Sequence, residues 1–431
     1  MKALVVGSGA GGAMTARHLA SSGFDVLVLE AGRPFRPLTR KVLHMGALRR
    51  TGLLGSERTI STFFPHMRTT RSGELVVVRG VGAGGCTVLS CGNMVPTDRG
   101  LKEIGLDLGP EFAEIGTMVR THTVPRERWT PTTGEMFDAA SGMGLDPAPT
   151  PKAVNLDRCR GCGMCELGCS TGARWDSRAW IDEAVGRGAR VSYEHEVVQV
   201  VMEHGQAVGA RAWTPSGEET IKADVIVIAA GGVGTAQLLR RSGIEVSDSL
   251  WIDPVLTFGG VKNGSRQLDE VPMAWYARRE DYIVSPYLDL LSHFFQPSWR
   301  TVGAKDRVGV MVKLADEANG RVDAAGNVRK ELTPRDEARI DEATLLVERL
   351  MSEAGVSGPL AEGMINGGHL GGTLPLERAD VEAMRPAVLP GNLWVADLSL
   401  VPRSQGMPTM MLAAAIGLRV GRTIVERAGR G

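Results

Sequence analysis

Four cysteines stand within eleven residues: Cys159, Cys162, Cys165 and Cys169, spaced C-x2-C-x2-C-x3-C. Three thiolates at that spacing can wrap a cuboidal iron–sulfur cluster, as in bacterial ferredoxin loops. In two-cluster ferredoxins the fourth cysteine serves the other cluster and precedes proline; here Ser170 follows, and no second run exists. The fourth ligand is therefore open between Cys169, Cys86 and Cys91. A four-iron cluster is expected ahead of a three-iron cluster held by three cysteines. Zinc is the rival metal, although zinc ribbons separate their C-x2-C knuckles by a longer insert, and a cysteine-rich loop without metal is the remaining reading.

A second pattern stands at the start. Gly7, Gly9 and Gly12 fit G-x-G-x-x-G directly after the apolar run Ala3-Leu-Val-Val-Gly7. A helical stretch, Ala13 to Ser22, follows, and then Asp25-Val-Leu-Val-Leu-Glu30 reads as a buried strand ending in a carboxylate. Such an arrangement binds dinucleotides: Gly7 permits the tight turn, Gly9 lets backbone approach a pyrophosphate, and Gly12 lets helix pack on strand. The helix N-terminus offers unpaired N–H groups to the phosphates. Glu30 lies where a ribose 2′-OH needs an acceptor. A third stretch, Gly80-Val-Gly82-Ala-Gly84-Gly85-Cys86-Thr87, places four glycines in six positions after the strand Glu74–Arg79. It suggests backbone N–H groups packed against a phosphate or a ring.

The elements that must position these groups are those of an α/β protein. Ala223–Ala230 reads as another buried parallel strand, opening through Gly231-Gly232 into a helix that Gly243 ends. Ala189–His195, Val197–Met202 and Ala207–Trp213 read together as a small antiparallel meander. Residues 121–155, rich in Pro, Thr and Gly, read as an excursion. Residues 251–365 hold many of the aromatics, including Phe294, Phe295 and Trp299, and several strand-like pieces such as Val308–Leu314. Thr333-Pro334 starts a helix there, with Thr as N-cap and Pro at the first position. Asn392–Asp397 is a late strand, and an apolar helix of roughly Thr409 to Arg427 closes the chain. Residues 38–67 mix apolar and basic side chains without a clean period.

Length and composition narrow the classes. A chain of 431 residues can form two or three domains, and 49 basic against 49 acidic residues give zero net charge. No global field then favours nucleic acid or an anionic membrane. No uninterrupted apolar run reaches the roughly 18 residues of a membrane span, and the start is neither signal nor transit peptide. The clustered cysteines do not look like a secreted disulfide framework, so a cytoplasmic location is expected.

Five pieces in order resemble the glucose–methanol–choline (GMC) family of FAD-dependent oxidoreductases. They are the N-terminal turn with Glu30, the loop Arg79–Asn93, the strand and turn Ile228–Leu239 with Ser242-Gly243, His369-Leu-Gly-Gly-Thr373, and Asn392–Asp397 leading to Met407-Pro408-Thr409. The resemblance implies a Rossmann-type FAD-binding domain, a parallel sheet with an antiparallel meander, formed by 1–37, 68–120, 156–250 and 366–431, with the cluster loop at 156–172. It implies an α+β substrate or cap domain with an antiparallel sheet from 38–67, 121–155 and 251–365. Gly7, Gly9, Ala10, Gly12, Glu30 and Ala31 would hold the FAD pyrophosphate and adenosine ribose. Gly80, Gly82, Gly85, Cys86 and Asn93 would lie along pyrophosphate and flavin. Val198 would present backbone to adenine, Ala230 and Gly231 would pass the adenosine, Asp397 would sit near the ribityl–phosphate region, and Pro408 and Thr409 at the flavin pyrimidine edge.

His369 matches the family's active-site histidine. Oxidising an alcohol by hydride transfer to flavin leaves a hydroxyl proton to remove, and an imidazole with an ordinary pKa of about 6.5 is suited to take it. His18, His44, His66, His122, His195, His204 and His293 read as core or surface residues. Met407 stands where the family usually has a second catalytic Asn or His, and a thioether cannot donate a hydrogen bond. Cys86 likewise replaces a more usual Ser or Thr.

A similar cysteine run occurs in iron–sulfur-containing catalytic subunits of bacterial sugar and polyol dehydrogenases. The expectation is an FAD-dependent dehydrogenase of an alcohol-type small molecule, exporting electrons through the cluster to a partner subunit, cytochrome, quinone system or ferredoxin-like carrier. Two alternatives are a flavin reductase fed through the cluster and an electron-transfer subunit without its own substrate.

Overall fold

The computed structural model describes residues 1–37, 64–289 and 302–429; most of the stretch 38–67, with His44, and also His293, Phe294, Phe295 and Trp299 lie outside them. The strand Lys2–Val6 is the middle of a five-stranded parallel sheet, ordered Leu393–Val395, Val225–Ile228, Lys2–Val6, Asp25–Glu30 and Arg190–Tyr193. Its unbroken apolar run suits a strand covered on both faces. Leu4, Met14, Leu19, Val28, Trp180, Ile226, Trp394 and Ile416 all belong to the buried cluster around this sheet. Helix Ala10–Ser21 and helix Met410–Ala428 approach closely there. Thr15 Oγ1 donates to the Gly417 carbonyl at 2.9 Å, and a Cβ on Gly417 would lie 2.3 Å from the Gly11 oxygen.

The antiparallel meander consists of Glu196–Glu203, Gln206–Thr214 and Gly217–Lys222. This corrects the sequence expectation on one strand. Arg190–Tyr193 pairs in parallel with Asp25–Glu30 at the edge of the central sheet, because a positive φ at Glu194 breaks the chain before the meander begins. The third meander strand, Gly217–Lys222, has little apolar character and escaped the pattern.

A second, larger sheet runs Met67–Ser72, Leu75–Gly80, Asn366–Gly367, Val255–Val261, Arg307–Leu314, Tyr282–Pro286, Trp275–Arg278 and Ala148–Pro149, with Ser357–Glu362 also paired to Val255–Val261. Leu75–Gly80, which the sequence groups with the cofactor-binding part, is hydrogen-bonded into this sheet beside Asn366–Gly367. Helix Pro334–Glu353 contributes Ala343, Val347 and Leu350 to the cluster beneath it, together with Trp275, Val308, Val310, Val312 and Leu314. Its start is fixed as expected: Thr333 Oγ1 accepts from Asp336 N and the Asp336 carboxylate accepts from Thr333 N. No described helix is long and apolar enough to cross a membrane.

Candidate functional site

A cavity of about 420 Å³ opens at the carboxyl ends of Lys2–Val6 and Val225–Ile228, where ligands of such sheets bind, and continues to the large sheet. Gly7 turns out of the first strand with φ +101°, and a Cβ there would lie 2.3 Å from the Ala229 oxygen. Gly9 caps the helix without any side-chain hydrogen bond to its first turn, and a Cβ on it would meet nothing within 4 Å but the cavity. Gly12 instead faces the Gly7 carbonyl, at 2.2 Å from a Cβ, and brings the helix onto the strand. Two further helix starts, at Ala230 and Thr409, also reach the wall without side-chain caps. At Ala230 the first N–H, that of Gly231, is taken by the Asp397 carboxylate at 2.9 Å, so the starts left to suit an anionic cofactor are those at Gly9 and Thr409.

Glu30 is buried on this wall, and its carboxylate is engaged with protein donors. Oε2 accepts from Ser8 N at 3.1 Å and Ser8 Oγ at 2.6 Å, while Oε1 accepts from Gly32 N and Gly82 N. It therefore ties the second glycine loop to the first. Gly80, Gly85 and Cys86 line the cavity, with Gly80 N donating to Cys86 Sγ at 3.2 Å, whereas Gly82 is spent on Glu30. Arg174, buried just beyond the cysteine run, donates to the carbonyls of Thr87 and Val88 and holds the end of that loop.

The remaining sequence candidates divide. Ala10, Ala31, Asn93, Ala230, Gly231, Asp397, Pro408 and Thr409 line the cavity. The Asp397 carboxylate accepts from Gly231 N at 2.9 Å, Thr235 Oγ1 at 2.5 Å and Ser399 N at 2.8 Å; burial raises its pKa against those bonds. Val198 is off the wall; its neighbours His195, Glu196 and Val197 are on it, so His195 is neither a core nor a plain surface residue. Met407 is buried among Cys91, Val95, Val255, Met273 and Met311, and is not on the wall either.

His369 lies on the wall at the large-sheet end. Its Nδ1 is 3.2 Å from Asp253 Oδ2. An ionised carboxylate only accepts, so this contact assigns the ring proton to Nδ1 and leaves Nε2 as the basic nitrogen. Asp253 is fully buried, and φ +45° marks it as strained. Its other oxygen accepts from Ser404 Oγ at 2.5 Å, Gln405 N at 2.8 Å and Gly406 N at 2.9 Å. Ser404 also reaches Asp316, which is ion-paired with Lys330 at 2.8 Å inside the core. The imidazole is thus held by a carboxylate that is itself fixed. Burial lowers the His369 pKa, the Lys313 charge lowers it further, and Asp253 and the Met407 backbone oppose both.

The sequence missed Asp253; a lone carboxylate between Ile252 and Pro254 in an apolar stretch was its one signal. Lys313 was missed too. It lines the cavity from the strand Arg307–Leu314.

The four cysteines do not converge. Cys162 is exposed, Cys159 and Cys169 are half-buried, and Cys165 is buried with Cys91 in an apolar cluster. Among the described residues no three His, Cys, Asp or Glu side chains are grouped to hold a metal ion. With Cys165 packed beside Cys91 rather than with its three neighbours in the run, the donor set does not fit a cluster. The loop nevertheless reaches the site: Glu166, inside the turn Cys165–Leu167, lines the cavity and accepts a hydrogen bond from Tyr287 Oη.

A glycine-rich turn of the dinucleotide-binding kind faces an Asp–His pair across one cavity. Comparison with known proteins is consistent with that arrangement. Residues 5–35 match the profile of an NAD(P)-binding Rossmann-like domain, and residues 113–255 that of GMC oxidoreductases. An uncharacterised GMC-type oxidoreductase of Mycobacterium tuberculosis is 32% identical over 291 residues, 63% of this chain and 44% of that protein. Long-chain-alcohol oxidase FAO3 of Arabidopsis thaliana is 25% identical over 284 residues, 60% of this chain and 36% of its own. The chain thus spans less than half the length of either relative. Pyridoxine 4-oxidase from Mesorbium loti shares the fold with a TM-score of 0.73 and 15% identity, covering 98% of both chains. These matches support the GMC oxidoreductase family.

Proposed function

We propose that this chain is an FAD-dependent oxidoreductase that oxidises an alcohol-type carbon of a small molecule, with His369 as the base. One observation carries the reading: a single cavity joins Gly9 and Glu30 at one end to the Asp253-held imidazole at the other. The uncapped helix starts at Gly9 and Thr409 would hold FAD, with Ala230, Asn93 and Asp397 beside it. Bound FAD would supply the hydride acceptor. His369 Nε2 takes the hydroxyl proton, Asp253 keeps Nδ1 protonated and the ring oriented, and the buried walls limit water. Relatives whose names include alcohol and pyridoxine oxidases support the substrate class. We retain the two-domain division given above as a proposal, and a cytoplasmic location as another, supported by six unpaired cysteines.

The test is anaerobic mixing of the holoprotein with a panel of alcohols. Flavin bleaching is expected, and His369→Gln should slow it about 100-fold or more with flavin still bound. Equal rates in the variant overturn the base assignment. Bleaching by a protein donor alone would favour the reductase or the electron-transfer subunit.

Electron export through an iron–sulfur cluster is a second reading. The cysteine spacing and the approach of Glu166 to the cavity support it; the burial of Cys165 against Cys91 opposes it, so no step is routed through a cluster. Iron analysis and an EPR spectrum of anaerobically purified protein decide between export to a protein or quinone partner and direct reoxidation.

A further inference from the structure

The strand Arg307–Leu314 alternates by face. Val308, Val310, Val312 and Leu314 enter the apolar cluster under the large sheet, while Met311 and Lys313 point to the cavity. Lys313 is only 6% exposed, and within the described residues it makes no hydrogen bond and no ion pair. An ammonium group without a partner in such a place is unfavourable unless something in the cavity compensates it. Lys313 sits opposite Val255 in the sheet register, two residues after Asp253, and its charge acts directly on His369. Burial brings its own pKa down to about 8, against the raising influence of Asp253 and Asp316, so a charged form is still available at neutral pH.

The geometry points to Lys313 as the second polar group of the reacting centre: its ammonium meets the substrate oxygen, doing what a thioether at position 407 cannot. This inference rests on the alcohol oxidation proposed above. As His369 Nε2 removes the hydroxyl proton and the carbon loses its hydride, which bound FAD would accept, the C–O bond becomes C=O. Negative charge gathers on that oxygen on the way. A preorganised cation beside it lowers the barrier in a way that matters most when water is excluded. The same charge adds to burial in lowering the His369 pKa, which favours the proton-accepting form of the imidazole.

The experiment compares wild type, Lys313→Met and Lys313→Arg as holoproteins. Acetate is the turnover-free probe, since its carboxylate carries the negative oxygen that the reaction creates only in passing. Calorimetry should show acetate binding weakened at least roughly tenfold in Lys313→Met and largely kept in Lys313→Arg. Alcohol-driven flavin reduction should fall roughly 100-fold in Lys313→Met, mainly in the limiting rate rather than in the half-saturating concentration. Acetate affinity and reduction rate both unchanged in Lys313→Met would overturn the assignment while leaving the oxidation intact. No reduction of the wild type by any alcohol, with acetate binding still dependent on Lys313, would overturn the oxidation and keep the anion-binding lysine. Lys313→Gln gives the same readings should the methionine variant not fold.

Discussion

At the scale of single residues, the Asp253–His369 contact would set the acid limb of the proposed oxidation. The imidazole acts only when neutral, and burial holds its pKa below the ordinary value. The rate should therefore rise with pH through a midpoint under about 6.5 and then level off. Asp253→Asn removes a raising influence, so that midpoint should move further down, while the maximal rate drops roughly tenfold or more from lost orientation. A stopped-flow pH profile measures both; a midpoint moving up would exclude the proposed role of the carboxylate. The histidine itself was legible only from its H-x-x-G-T surroundings. Asp253 was not, because it lies 116 residues away and meets the ring only through sheet pairing. Lys313 was hidden for a related reason: period-2 alternation says which residues share a face, but not that one face borders a cavity.

At the scale of elements, the close helix pair and a buried carboxyl give two measurable consequences. Gly417→Val would drive a side chain into the Gly11 carbonyl and push the cofactor-facing helix start aside. A loss of about 1–3 kcal/mol is expected, with lower flavin content, in thermal melts and absorbance ratios. Wild-type stability with full flavin would remove the packing argument. Glu270 is buried at the start of helix Pro131–Gly142, accepting from Thr130 N at 2.7 Å and Thr133 Oγ1 at 2.5 Å, and burial pushes its pKa up to about 7. A raised folded pKa contributes stability that is fully present below the unfolded value, about 4.5, and is lost as pH rises through about 7. Melting points should accordingly fall as pH rises from about 4.5 to about 7 and level off above that, and Glu270→Gln should flatten the slope. Long apolar strands and the Thr333 cap were readable because local chemistry determines them. The edge strand Arg190–Tyr193 was not, since its half-buried residues look the same in either sheet.

For the whole molecule, two sheets with separate buried clusters share one cavity, so a ligand there touches both. Removing FAD should lower the melting temperature of the entire chain, and returning it at about 100 times its dissociation constant should restore about 2.7 kcal/mol. Melts of stripped and reloaded protein check this; identical curves would mean the cavity does not hold the flavin. Fold class was visible in the sequence through the strand-turn-helix start and its late partners. The convergence of the cysteines was not assured by their spacing, because burial of Cys165 depends on Cys91, far back in the chain.

The bond from Thr15 to Gly417 joins positions 402 residues apart. On a ribosome, the glycine turn emerges more than 402 residues ahead of the glycine that supports its helix. A nascent polypeptide would therefore carry the glycine turn through the synthesis of those residues before its supporting helix exists, and the finished cradle has to wait for that helix.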